Sequence, residues 1–248
     1  LEDALFTGVP TIGARRAGGG LAGRPYVSNV REAARVAEEL GPGLVILEGS
    51  GSAVPPVPWD AGVLVCGAAT PPEYLGGYQG PYRVLLSDLI VFTMVTGPDD
   101  GPQSLSDLVS HVRGLRPDAR IAVTDFRPVP QDQVRGKKVF VTTTAPSAAG
   151  GQLGSSLEER HGCIVVGVSH ALADRAELAR DLDAAPAYDV LLTELKAAGV
   201  DVAAERAIEV GSEVVFIDNR METVDGDGDV RDLLLETARL AVERGNAR

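Results

Sequence analysis

The sequence predicts an α/β protein, a mostly parallel sheet with helices on both faces. Short apolar, β-rich runs recur along the chain with helical stretches between them. These runs are continuous in apolar character, as a sheet covered on both faces demands, whereas a half-exposed sheet alternates. With 44% hydrophobic and 23% charged residues, the 248-residue chain can bury one large core or two modest ones.

The strand candidates are Leu44–Leu47, Val63–Cys66, Leu89–Thr93, Ile121–Thr124, Val139–Thr143, Ile164–Val168 and Val214–Ile217. Ahead of the first, SNVREAARVAEEL (28–40) places Val30, Ala33, Ala34, Ala37 and Leu40 on one helical stripe. Ser28 or Asn29 caps its start, and Gly41-Pro42 ends it. Residues 104–115, 170–182, 186–198 and 229–244 carry the same helical period. The last of these is an amphipathic helix whose Leu233–Leu240 face serves equally as core or as a homodimer contact. The polar, proline-bearing stretch RPVPQDQVRGKK, which opens at Arg127, is a boundary. It divides the chain into α/β units over 1–127 and 136–248. The twenty-nine glycines and sixteen prolines fall between apolar runs, so they read as turn punctuation.

A formal net charge of −12 argues against nucleic acid or anionic membrane as a partner, because both need a basic face. An anionic ligand must then be held by local arginines and backbone amides. Cys66 and Cys163 lie inside apolar runs and read as small buried hydrophobes of a reducing cytoplasm. The chain has no 18-residue apolar run and no basic leader, so neither membrane insertion nor export is expected. It opens at Leu1 without a methionine, which reads as a fragment or a renumbered part.

Four stretches carry candidate chemistry. In GLVILEGSGSAVPPV (43–57), Glu48 closes an apolar run at the carboxyl end of a strand, where open α/β sheets bind ligands and a carboxylate can hold Mg²⁺. The same carboxylate also serves as a structural cap on the next turn. Ser50 lacks the glycine two residues before it that a nucleophile elbow needs. In TIGARRAGGGLAG (11–23), Arg15 and Arg16 offer planar forks for phosphate, and Gly18, Gly19, Gly20 and Gly23 let amides approach an anion. A solvent loop with incidental arginines has the same letters, and the G-x-G-x-x-G they contain lacks a helix starting inside it. In EYLGGYQGPYRVLLSD (73–88), Tyr74, Tyr78, Tyr82 and Arg83 form either a ligand wall or loop packing. In LLTELKAAGVD (191–201), Thr193, Glu194 and Lys196 crowd one helical turn, which an ordinary amphipathic helix also explains. His111, His161 and His170 show no paired metal-ligand spacing, and Gly136-Lys137-Lys138 is not a P-loop.

Taken in order, GARRAGGGLAG…SNV, VILEGSGSAVPPV, GYQGPYRVLLSDLIV and LLTELKAAGVD…VVFIDN resemble the cyclic 2,3-diphosphoglycerate synthetase family, from about Gly8 to Asn219. Such proteins are similar to the P-loop kinase-like ligases, whose dethiobiotin synthetase strand EGAGG resembles EGSG here. VFVTTTAP and TELKAA resemble segments of the lipid A disaccharide kinases. The resemblance implies a P-loop NTPase-like core followed by a Rossmann-like α/β unit. It implies ATP-dependent closure of a phosphoanhydride in 2,3-diphosphoglycerate, with ATP and Mg²⁺ as cofactors and a small anionic phosphorylated substrate as partner. On it, Glu48 helps hold Mg²⁺, Arg15 and Arg16 grip substrate phosphates, and Lys196 joins them in catalysis. Gly18, Gly19, Gly20, Gly49 and Ser50 contact the nucleotide. Ser28, Asn29, Tyr82, Arg83 and Asp88 line the substrate pocket, which Thr193 and Glu194 close. The family's P-loop has no counterpart in this sequence, so a non-catalytic nucleotide- or metabolite-binding relative and a small-molecule kinase stand beside the ligase.

Overall fold

The computed structural model describes residues 4, 7–17, 27–49, 54–77, 79–95, 102–147, 150–195 and 197–247. In chain order the elements are β1 (Arg16–Ala17), β2 (Val27–Ser28), α1 (Val30–Glu39), β3 (Val63–Gly67), α2 (Pro72–Gly76), α3 (Gly80–Leu85), β4 (Leu89–Thr93) and α4 (Pro102–Leu115). They continue with β5 (Arg120–Pro130), β6 (Lys138–Thr142), α5 (Gly150–His161), β7 (Ile164–Ser169), α6 (Arg175–Asp183), β8 (Val190–Glu194), α7 (Val200–Glu209), β9 (Glu213–Gly226) and α8 (Val230–Asn246). The chain forms two compact units, Asp3–Asp125 with Met221–Arg248 and Phe126–Arg220. The expected second unit, 136–248, therefore ends earlier, and the C-terminal helix clusters with the first unit.

In the first unit β3, β4 and the start of β5 run parallel. One face, with Leu64, Cys66, Ile90, Phe92, Ile121 and Val123, packs on Leu75 of α2, Val84 of α3 and Leu108 and Val112 of α4. The other face, with Leu89, Val91 and Ala122, is closed by Val230 and Leu233 of α8. A Cβ on Gly80 would stand 2.1 Å from the Tyr74 carbonyl oxygen, so only glycine lets α3 start against α2.

In the second unit β9, β8, β6 and β7 lie side by side, all parallel. Val139, Val141, Val190, Leu192, Val215 and Ile217 face Leu157 of α5. Phe140 and Leu191 face Leu178 and Leu182 of α6 and Ala203 and Ala207 of α7. Asp174 caps α6 by accepting from the Ala176 and Glu177 amides.

Two expected elements differ. The described residues of 186–198 form no helix: Val190–Glu194 is a strand paired with β6 and β9, and the helix begins at Val200. Leucine, glutamate and alanine favour a helix locally, but that preference is small beside burying Val190, Leu191 and Leu192 completely inside a sheet. Leu44–Leu47 forms no strand, and Leu44, Val45 and Ile46 are exposed. A strand needs a neighbour for its amides and carbonyls, and among the described residues none pairs with this run. Cys66 and Cys163 are free thiols, and burial pushes the pKa of both up, so neither is primed as a nucleophile.

Asp88, just before β4, holds the first unit together. It accepts from the Gly62 amide at 3.1 Å, from Arg116 at 2.9 Å and from Arg244 of α8 at 2.9 and 3.1 Å. Burial pushes its carboxyl up, but the Arg244, Gly62 and Arg116 hydrogen bonds outweigh this and hold it below the usual carboxylate range. Its stabilisation is therefore complete above the unfolded carboxylate value near 3.9 and is lost as pH falls through the lower folded value. Urea melts should show Asp88→Ala losing about 3 kcal/mol at neutral pH, and Asp88→Asn with a flatter stability curve below about pH 4. Asp201→Ala, which breaks the exposed pair with Arg175, should leave the midpoint unmoved.

Candidate functional site

The ligand-facing edge of a parallel sheet is its carboxyl edge. In the first unit β4 ends there at Thr93, whose buried hydroxyl has no hydrogen-bond partner among the described residues. Met94 follows in a left-handed conformation at φ 60°, uncommon for a residue with a side chain. The Thr124 hydroxyl donates to the Phe92 carbonyl, and Asp125 is buried beside it in sequence. Tyr74 and Tyr82 are more than half exposed, and Tyr78 lies outside the described residues. Arg83 is half-buried on α3. Asp88 lies at the opposite, amino end of β4, where its carboxylate is committed to Gly62, Arg116 and Arg244. It lines a cleft there with Trp59, Asp60, Arg116 and Arg244, away from the carboxyl edge.

The structure brings four candidates of the N-terminal segment together. Arg16 pairs with Ser28 and Ala17 with Val27 in an antiparallel hairpin. Next to it the Arg15 amide donates to the Asn29 Oδ1 at 2.6 Å, and the Asn29 amide donates to the Arg15 carbonyl at 3.1 Å. Asn29 spends its side chain on this closure, so it does not cap α1. Gly18, Gly19 and Gly20 fall in the connection, outside the described residues. Glu48 and Gly49 are exposed, and Ser50 lies outside the described residues. Glu48 thus ends an unpaired segment, not a buried strand, for the reason given for Leu44–Leu47. Among the described residues no cluster of three or more histidine, cysteine or acidic side chains could hold a metal. A single exposed carboxylate such as Glu48 could hold a cation such as Mg²⁺ only with waters filling most of its coordination.

The second unit carries the most organised polar group. Glu194, the last residue of β8, accepts from the Thr143 hydroxyl at 2.7 Å, the Thr144 hydroxyl at 2.8 Å and the Thr144 amide at 3.0 Å. Asn219 of β9 adds a longer contact at 3.4 Å. Thr193 points to the other face, fully buried like its register partner Thr142, whose hydroxyl has no hydrogen-bond partner among the described residues. Lys196 lies outside the described residues. Thr143, Thr144, Asn219 and His170 were missed in the sequence. The run of threonines closing a strand was their only visible signal.

Comparison with known proteins matches this chain to the model for the P-loop domain of cyclic 2,3-diphosphoglycerate synthetase over residues 1–125 and to that for its C-terminal domain over residues 130–220. The chain is 47% identical over 240 residues to the cyclic 2,3-diphosphoglycerate synthetase of Rubrobacter xylanophilus, covering 97% of this chain and 53% of that protein. It is 39% identical over 244 residues to the same-named protein of Methanothermus fervidus, covering 98% and 53%. For that of Methanosphaera stadtmanae the identity is 43% over 219 residues, covering 88% and 48%. The chain thus spans about half the length of the curated relatives it matches. Among the described residues no helix is long and apolar enough to cross a membrane.

The Glu194 clamp has its own test. Glu194→Ala leaves the Thr144 amide without its acceptor, so its hydrogen exchange should speed up about tenfold or more, equivalent to the net worth of one charge-assisted bond. Unchanged exchange at Thr144 would show that the clamp does not hold this turn.

Proposed function

The chain belongs to the cyclic 2,3-diphosphoglycerate synthetase family, and from that premise we propose that the full-length protein uses ATP to close 2,3-diphosphoglycerate into its cyclic phosphoanhydride, releasing ADP and phosphate. The observation that carries this reading is the succession of the two domain matches. The second encloses the clamped Glu194 and its partners Thr143, Thr144 and Asn219.

The reaction needs one substrate phosphate to be phosphorylated and then attacked by its neighbour. Several negative charges must approach one another, with water kept from the activated intermediate. In a chain of net charge −12 the compensating charge has to be local. We assign that task to Arg15 and Arg16, whose backbone is joined to that of Ser28 and Asn29. Mg²⁺, when bound, neutralises phosphate oxygens, and Glu48 is the residue proposed to help hold it. Lys196 is kept as a proposed substrate contact and Glu194 as the organiser of Thr143 and Thr144, whereas Thr193, fully buried on the other face, is withdrawn from the pocket. Tyr82 and Arg83 are kept as proposed pocket residues. The sequence has no G-x-x-x-x-G-K-[ST], so the grip on the ATP phosphates is assigned to the part of the full-length protein that this chain does not span. Two free thiols accord with a cytoplasmic setting.

Full-length protein given Mg²⁺-ATP and 2,3-diphosphoglycerate should release ADP and phosphate in equal amounts, with a cyclic anhydride signal in the ³¹P NMR spectrum. A phosphate ester instead would make it a kinase, and tight binding without product would make it a sensor. Arg16→Ala should lower kcat/KM by about 10²–10³ with an unchanged melting temperature, as removal of one transition-state charge contact does elsewhere. Full turnover in that variant removes Arg16 from the mechanism.

A further inference from the structure

His170 stands directly behind β7, half-buried at the carboxyl edge of the second unit. Its Nδ1 lies 2.7 Å from the Ala145 carbonyl oxygen. A carbonyl oxygen only accepts, so Nδ1 carries the hydrogen, and in the neutral ring Nε2 is left as a bare lone pair. Among the described residues nothing bonds to that Nε2.

The support beneath the ring is rigid. The Ala145 amide donates to the Thr143 hydroxyl at 3.0 Å, and that hydroxyl donates to Glu194. The Thr143 amide donates to the Ser169 carbonyl at 2.9 Å, and the Leu172 amide to the Thr143 carbonyl at 3.3 Å. Glu194 and His170 therefore hold adjacent parts of one turn, Glu194 bonding Thr143 and Thr144 and His170 bonding Ala145. An imidazole oriented through Nδ1 by a fixed acceptor, with Nε2 open, is the usual arrangement of a working base. The other two histidines differ. His161 closes α5 at the amino end of the strands, its Nε2 3.3 Å from the Pro128 carbonyl, and the Nε2 of His111 is buried.

We propose that His170 is a proton acceptor for the phosphorylated substrate at the carboxyl edge of the second unit, its Nε2 facing the ligand. The proposal rests on the synthetase reading above. In the closing step the attacking phosphate carries one proton at an oxygen. Nε2 takes that proton, and the O–H electron pair stays on the oxygen. The oxygen bonds to the phosphorus of the activated neighbour, while the bond from that phosphorus to the leaving orthophosphate breaks with its electrons on orthophosphate. The proton then passes from Nε2 to the orthophosphate.

The test uses full-length protein with ¹⁵N-labelled histidine, the His170 signals being those absent from His170→Asn. Adding 2,3-diphosphoglycerate without ATP should move the Nε2 resonance and leave Nδ1 protonated. An Nε2 signal unmoved at millimolar 2,3-diphosphoglycerate overturns the proposal, whether or not the wild type makes product. A moved signal in a wild type that makes no product keeps His170 as a ligand contact and sinks the synthetase reading alone. Asparagine can still donate to the Ala145 carbonyl but has no Nε2. In an active wild type, His170→Asn should keep the melting temperature and lower kcat by about 10²–10⁴ with KM within about threefold, whereas His170→Ala loses both anchor and base. A kcat preserved in His170→Asn assigns the residue a purely structural part and refutes the inference.

Discussion

A strand at the centre of a parallel sheet must be covered on both faces, and this constraint shapes the first unit around β4 and the start of β5. Helices α2, α3 and α4 cover one face of β3, β4 and β5. Among the described residues the cover of the other face comes from the end of the chain, where α8 sets Val230 and Leu233 on Leu89, Val91 and Ala122. The helix is fixed at both ends. At its start Asp227 takes Arg113 at 2.6 Å and the Ile121 amide at 2.7 Å, while Asp229 caps the first turn. Near its end Arg244 reaches Asp88 and the Asp60 carbonyl. Gly226, at φ 119°, is where the chain enters this arrangement, and a Cβ there would stand 2.5 Å from the Ile121 carbonyl oxygen.

The same constraint separates what the sequence displayed from what it hid. Leu89–Thr93 was legible because all five residues are apolar or β-favouring, and all five are buried. Val190–Glu194 obeys the same rule, yet it ends in Thr-Glu-Leu-Lys-Ala-Ala, whose local helix preference masked a five-residue strand. Leu44–Leu47 shows the converse. Its letters satisfy the strand pattern, but a pattern specifies only what a segment buries if a neighbour is present. The closure of Arg15 on Asn29 could not be seen either, because pairing across a glycine-rich connection depends on its path, not its composition.

Strand direction decides the role of each acidic candidate more firmly than its motif does. Asp88 precedes its strand, so it faces the edge where helices and loops are stapled, and its oxygens go to arginines and an amide. Glu194 ends its strand and meets hydroxyls at the edge where the chain turns toward the loop before α5. Both carboxylates are saturated, but only the second holds groups that stand at the ligand-facing edge.

That difference bears on where a cation belongs. A carboxylate already accepting from two hydroxyls and an amide would have to give those up to bind a metal, and Thr143 and Thr144 would lose the acceptor that sets their turn. Glu194 is therefore better matched to holding protein than to holding Mg²⁺. Glu48, exposed and with no bond among the described residues, carries no such cost. Glu194 is committed instead to the turn whose Ala145 carbonyl anchors the His170 imidazole.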